Sequence, residues 1–149
     1  MKIAIGADHA GYRLKAKLVS WLRSAGGGRH QVVDLGCGGV DSCDYPDLAA
    51  AVARAVKGGK ASRGILLCGT GIGMAMAANK IHGIRAAVTW NPRTAALAAE
   101  HNGANVICLP ARFAGITKAQ VMIRTFLSTP FGGGRHARRL RKIKQLEKC

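Results

Sequence analysis

Three groups of residues in this chain have the types and spacing to do chemistry. The first is Cys68 with the run Gly69-Thr70-Gly71-Ile72-Gly73 that follows it. The apolar stretch Gly64-Ile65-Leu66-Leu67 ahead of it reads as a buried strand, and the residues behind it open a helical pattern. A thiol at a strand exit, facing glycine amides at a helix N-terminus, is placed to become a thiolate, because unpaired N–H groups and the positive helix end favour negative charge there. The same amides could hold an oxyanion or a phosphate. The second group is Asp8-His9, directly after another apolar run. The third is basic: Arg112, and Arg135 with Arg139 four residues on, a pair that shares one helical face and can converge on a dianion.

The glycine run is not a nucleotide-binding signature. GxGxxG would need a glycine where Met74 stands, and no Lys-Ser/Thr pair completes a P-loop, since Asn79-Lys80 falls too late. Taken alone such a run is most often a tight turn, and Cys68 could be a small apolar filler at a strand end. On the same terms Thr70 could be a helix N-cap, Tyr45 a packing residue and His101 a surface histidine near a helix end.

The elements that must position these residues alternate along the chain. Lys2–Ala7 reads as a first strand, and Tyr12–Ser24 as a helix with Leu14, Leu18, Trp21 and Leu22 on one face, ended by Gly26-Gly27-Gly28. Gln31–Leu35 is a second strand, and a loop rich in glycine and aspartate leads to a helix with Pro46 in its first turn. Ser62–Leu67 is a third strand and Gly73–Lys80 a helix. Ile84–Thr89 is the fourth strand, followed by a helix over Pro92–His101 with Asn91 as its N-cap. Asn105–Leu109 is the fifth strand, Lys118–Leu127 a helix, and a last helix runs from about Arg135 to Leu146. This alternation predicts one α/β domain over residues 1–149, with a five-stranded parallel sheet, helices on both faces and a basic C-terminal helix over about 135–146. Doubly wound sheets bind ligands at the carboxyl ends of their strands, near a topological switch point. Asp8-His9, Cys68-Gly69-Thr70 and Arg112 all follow predicted strands.

At 149 residues, 48% apolar and 20% charged, the chain has the size and composition of one soluble domain with a real core. Its apolar stretches stop well short of the ~20 residues a membrane span needs. The opening run Met1–Gly6 is too short for a signal peptide, so the protein is expected to stay in the cytoplasm. Cys37, Cys43, Cys68, Cys108 and Cys149 are odd in number and lack CxxC spacing, which predicts reduced thiols and offers no ligand cluster for zinc. The net charge of +16 is extreme: Arg135, Arg138, Arg139, Arg141, Lys142, Lys144 and Lys148 face Glu147 alone in the last fifteen residues. A solvated helix face, a site for phosphorylated metabolites and a nucleic-acid surface compete to explain it. The last lacks interleaved aromatic residues and any DNA-reading motif, so no specific nucleic-acid partner is expected.

Gly6-Ala7-Asp8-His9-Ala10-Gly11, Asp44-Tyr45-Pro46-Asp47, the run from Gly64 to Gly73, Ala78-Asn79-Lys80, Glu100-His101-Asn102 and Gly134-Arg135-His136-Ala137-Arg138-Arg139 follow one another between residues 3 and about 143. Together they resemble the type B ribose-5-phosphate isomerases, a family that includes relatives acting on hexose 6-phosphates. The resemblance implies a doubly wound, flavodoxin-like (Rossmann-like) domain and a phosphorylated sugar substrate. It also implies a homodimer with active sites at the subunit cleft, and neither a metal nor any other cofactor.

Aldose–ketose interconversion needs an opened sugar ring, a base for the C2 proton, stabilisation of the enediolate and a grip on the phosphate. The resemblance makes Cys68 the base that moves a proton between C2 and C1 of a cis-enediolate. An unperturbed thiol, with a pKa of about 8.5, needs lowering to serve at neutral pH. A subgroup of the family uses a glutamate at the position of Met74, which cannot take a proton, and this leaves the role to Cys68. Thr70 with the amides of Gly71 and Gly73 would hydrogen-bond the enediolate oxygen, and Gly69 lies in the same substrate-binding run. His101 matches the residue that opens the ring by proton transfer, work suited to an imidazole, and Asn102 would orient a substrate hydroxyl. Asp8 suits sugar hydroxyls, His9 a hydroxyl or the phosphate, and Tyr45 the pocket lining. Arg112, Arg135 and Arg139 match the phosphate-binding arginines, with His136 adjacent.

Three departures from the family pattern stand out. Gly26-Gly27-Gly28-Arg29-His30 replaces a shorter, more acidic turn, and Gly103 replaces a common aspartate, a change that could loosen its loop. Trp90-Asn91-Pro92-Arg93 replaces a polar-Asp-Pro-aromatic run near the pocket mouth, which bears on five- against six-carbon substrates. The expected function is therefore interconversion of ribose 5-phosphate and ribulose 5-phosphate, a step of the pentose phosphate pathway. The alternatives are a hexose 6-phosphate isomerase acting on allose or galactose phosphate, and a non-catalytic sugar-phosphate binding module.

Overall fold

The computed structural model describes residues 1–147; Lys148 of the basic tail and Cys149 lie outside the described residues. Strands β1 (Lys2–Ala7), β3 (Arg63–Cys68) and β5 (Val106–Pro110) are almost wholly buried, as their unbroken apolar runs require of strands covered on both faces. Strands β2 (Gln31–Asp34) and β4 (Ala86–Val88) are shorter and partly exposed, and they form the two edges. All pairings are parallel, in the order β2-β1-β3-β5-β4. The doubly wound class is as expected, but β5 lies between β3 and β4, where the plain flavodoxin-like progression would place the fourth strand.

Helices α1 (Tyr12–Arg23), α4 (Pro92–Glu100) and α5 (Ile116–Ser128) cover one face, packing Leu18, Leu22, Ala95, Met122 and Phe126 on Ile3, Ile5, Ile65 and Ile107. Helices α2 (Tyr45–Lys57) and α3 (Ile72–Ala78) cover the other, with Val52 and Met74 against Ala4, Leu66 and Cys108. The winding reverses between β1 and β3, so the crevice at their carboxyl ends lies between the Asp8-His9 and Cys68-Gly69 turns.

Some boundaries differ from the sequence reading for local reasons. Cys68 is the last residue of β3 rather than the first after it, because it pairs with Pro110. Helix α3 covers Ile72–Ala78, not Gly73–Lys80. Strand β4 is confined to Ala86–Val88, and the Asn79 side chain occupies its open edge, accepting from the Ala86 amide (2.7 Å) and donating to the Ala86 carbonyl (2.9 Å). Asn91 does cap α4, in a reciprocal box with Thr94.

The last helix, α6 (Gly134–Leu146), has no buried residue. The Gly132 amide ties its start to the Glu100 carbonyl (2.8 Å), and Glu147 accepts from the Gly83 amide (2.8 Å) at its far end. Its apolar residues Ile143 and Leu146 remain exposed, as do Ile72 and Met76 on α3. Among the described residues no helix is long and apolar enough to cross a membrane.

Candidate active site

Cys68 is buried at the carboxyl end of the central strand β3, and its Sγ accepts the Gly71 amide at 3.1 Å. Gly71 can turn its amide back in this way because its φ is +79°; a side chain there would also meet the Cys108 carbonyl at 3.2 Å. The sequence predicts the Gly71 amide on the substrate oxygen; in the structure it is committed to the sulfur. Thr70 is exposed, and its hydroxyl oxygen accepts from the Ile72 amide (3.3 Å), which leaves its own proton free to donate. Gly73, in the first turn of α3, carries one of the amides a helix leaves without an internal partner. Tyr45, from the first turn of α2, packs the hydroxyl end of its ring against Gly73, with ring carbon Cζ 2.7 Å from where a β-carbon would stand.

Asp8 and Arg112 flank this turn. The Asp8 carboxylate is buried and accepts the Gly11 amide (3.1 Å), and its own amide donates to the Leu67 carbonyl (3.1 Å), which locks the β1 exit to the β3 exit. His9 beside it has a buried Nδ1 with no partner among the described residues. The Arg112 amide donates to the Gly69 carbonyl (3.1 Å), and its guanidinium lies over Gly69, with Nε 3.3 Å from the position of a β-carbon. Cys68, Gly69, Thr70, Gly71, Gly73, Asp8, His9, Tyr45 and Arg112 thus converge at one end of the sheet.

Two further thiol environments adjoin this end. Burial, with a contribution from Cys68, pushes the Cys108 thiol far above the ordinary thiol range, so it stays protonated behind the site. The Cys43 thiol is pushed up by burial and by contact with the Cys37 thiol, while the His9 backbone opposes this. Cys37, Cys43, Cys68 and Cys108 are all free.

The remaining candidates lie elsewhere. His101 caps the C-terminus of α4, a helix that starts beyond the carboxyl end of β4 and runs back to the amino end of β5. The β3 level at that end is Gly64, paired with Val106; from there to Cys68 the strand advances about 13 Å. His101 therefore cannot reach the Cys68 thiol of its own chain. Around it stand Asn102, which is exposed, and the start of α6 with Arg135, His136 and Arg139. The His101 and His136 rings are stacked, 4.2 Å between centroids and 11° between planes. Glu100 Oε2 lies 4.0 Å from His101 Nε2. The loop expected to be loosened by Gly103 is instead held: the Gly103 amide donates to the Ala99 carbonyl (3.1 Å), Arg85 Nε donates to the Gly103 carbonyl (2.8 Å), and Leu140 of α6 packs on the glycine.

The ribose/galactose isomerase profile matches residues 3–143. The chain belongs to the ribose/galactose isomerase family. Among relatives, ribose-5-phosphate isomerase B of Escherichia coli (strain K12) is 41% identical over 146 residues, which cover 98% of this chain and 96% of that one. The solved structure of the Clostridium thermocellum ribose-5-phosphate isomerase B superposes with a TM-score of 0.95 at 47% identity, covering 99% of this chain and 98% of the other. That of the Mycoplasma genitalium ribose-5-phosphate isomerase B with bound ribulose-5-phosphate has a TM-score of 0.92 at 44% identity, covering 99% and 96%.

In this ribose/galactose isomerase the order of motifs alone assigns His101 and Cys68 to one reaction, whereas the fold puts them at opposite ends of the sheet of one chain. The signal was available, since a helix following a strand in a parallel sheet must return to the amino end. Residue order shows His136 only as a neighbour of the arginines, because nothing in it says that α6 begins against the end of α4.

Proposed function

We propose that the protein interconverts ribose 5-phosphate and ribulose 5-phosphate, with Cys68 as the base. The observation that carries this reading is the buried Cys68 Sγ accepting the Gly71 amide at 3.1 Å, at a switch-point crevice flanked by Asp8 and Arg112. The Gly71 N–H holds the sulfur in place at the strand exit, beside the crevice in which a ligand of a doubly wound sheet binds. The thiolate takes the proton from C2 of the opened aldose and negative charge moves to the carbonyl oxygen at C1. The hydroxyl proton then passes from the C2 oxygen to the C1 oxygen, and the thiol, whose proton exchanges with solvent, protonates C1 on the same face of the enediolate. Thr70 donates to the oxygen that gains charge, with the Gly73 amide as a second donor. Preorganised donors of this kind are commonly worth about 3–4 kcal/mol.

Ring opening falls to His101, by proton transfer at the furanose ring oxygen, which gains a proton, and at the anomeric hydroxyl, which loses one as the C1 carbonyl forms. Asn102 orients a hydroxyl beside it. Asp8 and His9 hold sugar hydroxyls, Tyr45 closes the pocket over Gly73, and Arg112, Arg135 and Arg139 bind the phosphate. Because His101, Asn102, Arg135 and Arg139 lie at the far end of the sheet in their own chain, a second copy supplies them. The working form is a homodimer with two clefts, each lined by both subunits. The exposed apolar residues Ile72 and Met76 on α3, and Ile143 and Leu146 on α6, support such an interface. The free thiols fit a reducing compartment, and we assign the enzyme to the cytoplasm.

The test is isomerisation of ribose 5-phosphate in chelator-treated buffer, with allose 6-phosphate in parallel and Cys68→Ala in both assays. Pentose turnover that collapses in the variant supports the reading. Preferential hexose turnover, also lost in the variant, would keep the base and change the substrate. Undiminished turnover in the variant would overturn Cys68 as the base.

A further inference from the structure

The His101–His136 stack has an architecture beyond two side chains that happen to meet. His101 ends α4, and the Glu100 carbonyl next to it accepts the Gly132 amide (2.8 Å), which pins the segment leading into α6. The His136 amide donates to the Gly133 carbonyl (2.9 Å), fixing the backbone on the other side of the stack. Gly132 packs between the two, a β-carbon position there lying 3.3 Å from Glu100 Cγ and 3.6 Å from His136 Cδ2. One turn further along α6, Leu140 packs on Gly103, a second contact between the helix and the loop that follows His101. The rings lie 4.2 Å apart and only 11° from parallel. Two parallel imidazoles at this distance bear on each other's orientation and charge.

We propose that His136 is a positioning residue for His101: its ring, stacked on that of His101, sets the plane in which the His101 imidazole meets the ring oxygen of the furanose. This rests on the reading of His101 as the ring-opening group. The charges around the pair agree with the division of labour. Negative charge faces His101, from the Glu100 carboxylate at 4.0 Å and from the carbonyl end of α4. Desolvation and the nearby positive charges of His101, Arg135 and Arg139 hold His136 below the usual histidine range, against a smaller opposing effect of Glu100. A positive charge on His136 is disfavoured in this setting, which suits its ring to serve as the flat support.

The experiment compares His136→Phe, which keeps a flat ring but can neither protonate nor hydrogen-bond, with His136→Ala, which removes the ring. Two reactions are followed in each: turnover of ribose 5-phosphate, and wash-in of solvent deuterium at C1 of ribulose 5-phosphate. The ketose phosphate cannot close a five-membered ring, since its C5 oxygen carries the phosphate, so wash-in needs the base but no ring chemistry. The expected result is kcat for ribose 5-phosphate down about 10- to 100-fold in His136→Ala, the scale of a misplaced catalytic group, with KM nearly unchanged. His136→Phe should recover most of that loss, and wash-in should stay within about twofold in both variants. A rise in KM common to both variants would overturn the proposal and make His136 a phosphate ligand. Equal loss of wash-in and turnover in His136→Ala would overturn it as well, showing general damage. His101→Asn separates the two layers: if it spares turnover, the ring-opening reading itself fails. If it abolishes turnover while His136→Ala does not, only the positioning role fails.

Discussion

The two ends of the parallel sheet are built on different principles. At the carboxyl end, Cys68, Asp8 and Arg112 leave the central strands β1, β3 and β5 and are tied to one another through backbone hydrogen bonds. At the amino end, His101 and His136 stand half-buried at helix termini with Arg135 and Arg139 exposed on α6, a helix with no buried residue of its own. The first end is preorganised by the core of its own chain; the second is a set of groups presented outward. A parallel sheet brings together only what leaves it at one end. A reaction that needs both sets must therefore draw them from two copies, and on this account the exposed end of one subunit completes the buried end of the other.

The largest effect should come from the buried end. Cys68→Ala is expected to lower kcat/KM for ribose 5-phosphate by about 10³-fold, within the range for loss of a general base, and to abolish deuterium wash-in at C1 of ribulose 5-phosphate. Survival of wash-in would break the assignment. His101→Asn should cost about 10²-fold on the furanose while sparing wash-in, a contrast that sharpens the division between the ends. Arg135→Ala or Arg139→Ala should lower kcat/KM about 10- to 100-fold, mostly through KM, as expected for a charged hydrogen bond worth about 1.5–3 kcal/mol. Arg138→Ala and Arg141→Ala, on the same helix without an assigned contact, should stay within about twofold.

The smallest effect concerns stability against pH. The Cys108 thiol is raised from an ordinary value of 9.0 by burial, so above that pH the unfolded chain releases a proton the folded chain keeps. Stability from this group is fully present below about pH 9 and falls as pH rises, by at most about 1.4 kcal/mol per unit. Thermal melts of the wild type should therefore drop more between pH 8 and pH 10 than those of Cys108→Ala, whatever the absolute offset between them; parallel drops would contradict the assignment.

Much of the carboxyl end was legible from residue order. Unbroken apolar runs marked β1, β3 and β5, and the Cys68 glycine turn followed from a strand exit meeting a helix start. What was not legible depends on three-dimensional choices. Placing β5 between β3 and β4 is a matter of crossover path, which leaves no local trace. The Gly71 amide turns to sulfur rather than outward because of a positive φ that any glycine could adopt or avoid. The Gly103 loop is firm because Leu140 and Arg85, both distant in sequence, hold it.

The most direct test of the two-copy site is complementation. Cys68→Ala and His101→Asn chains are each prepared as inactive homodimers, then unfolded and refolded together, and ribose 5-phosphate turnover is measured. If each cleft draws Cys68 from one subunit and His101 from the other, mixed dimers contain one intact cleft. With random pairing the mixture should then recover about a quarter of wild-type activity. If both residues act within one chain, every cleft in the mixture carries a lesion, and turnover that stays at the level of the separate variants would contradict the account.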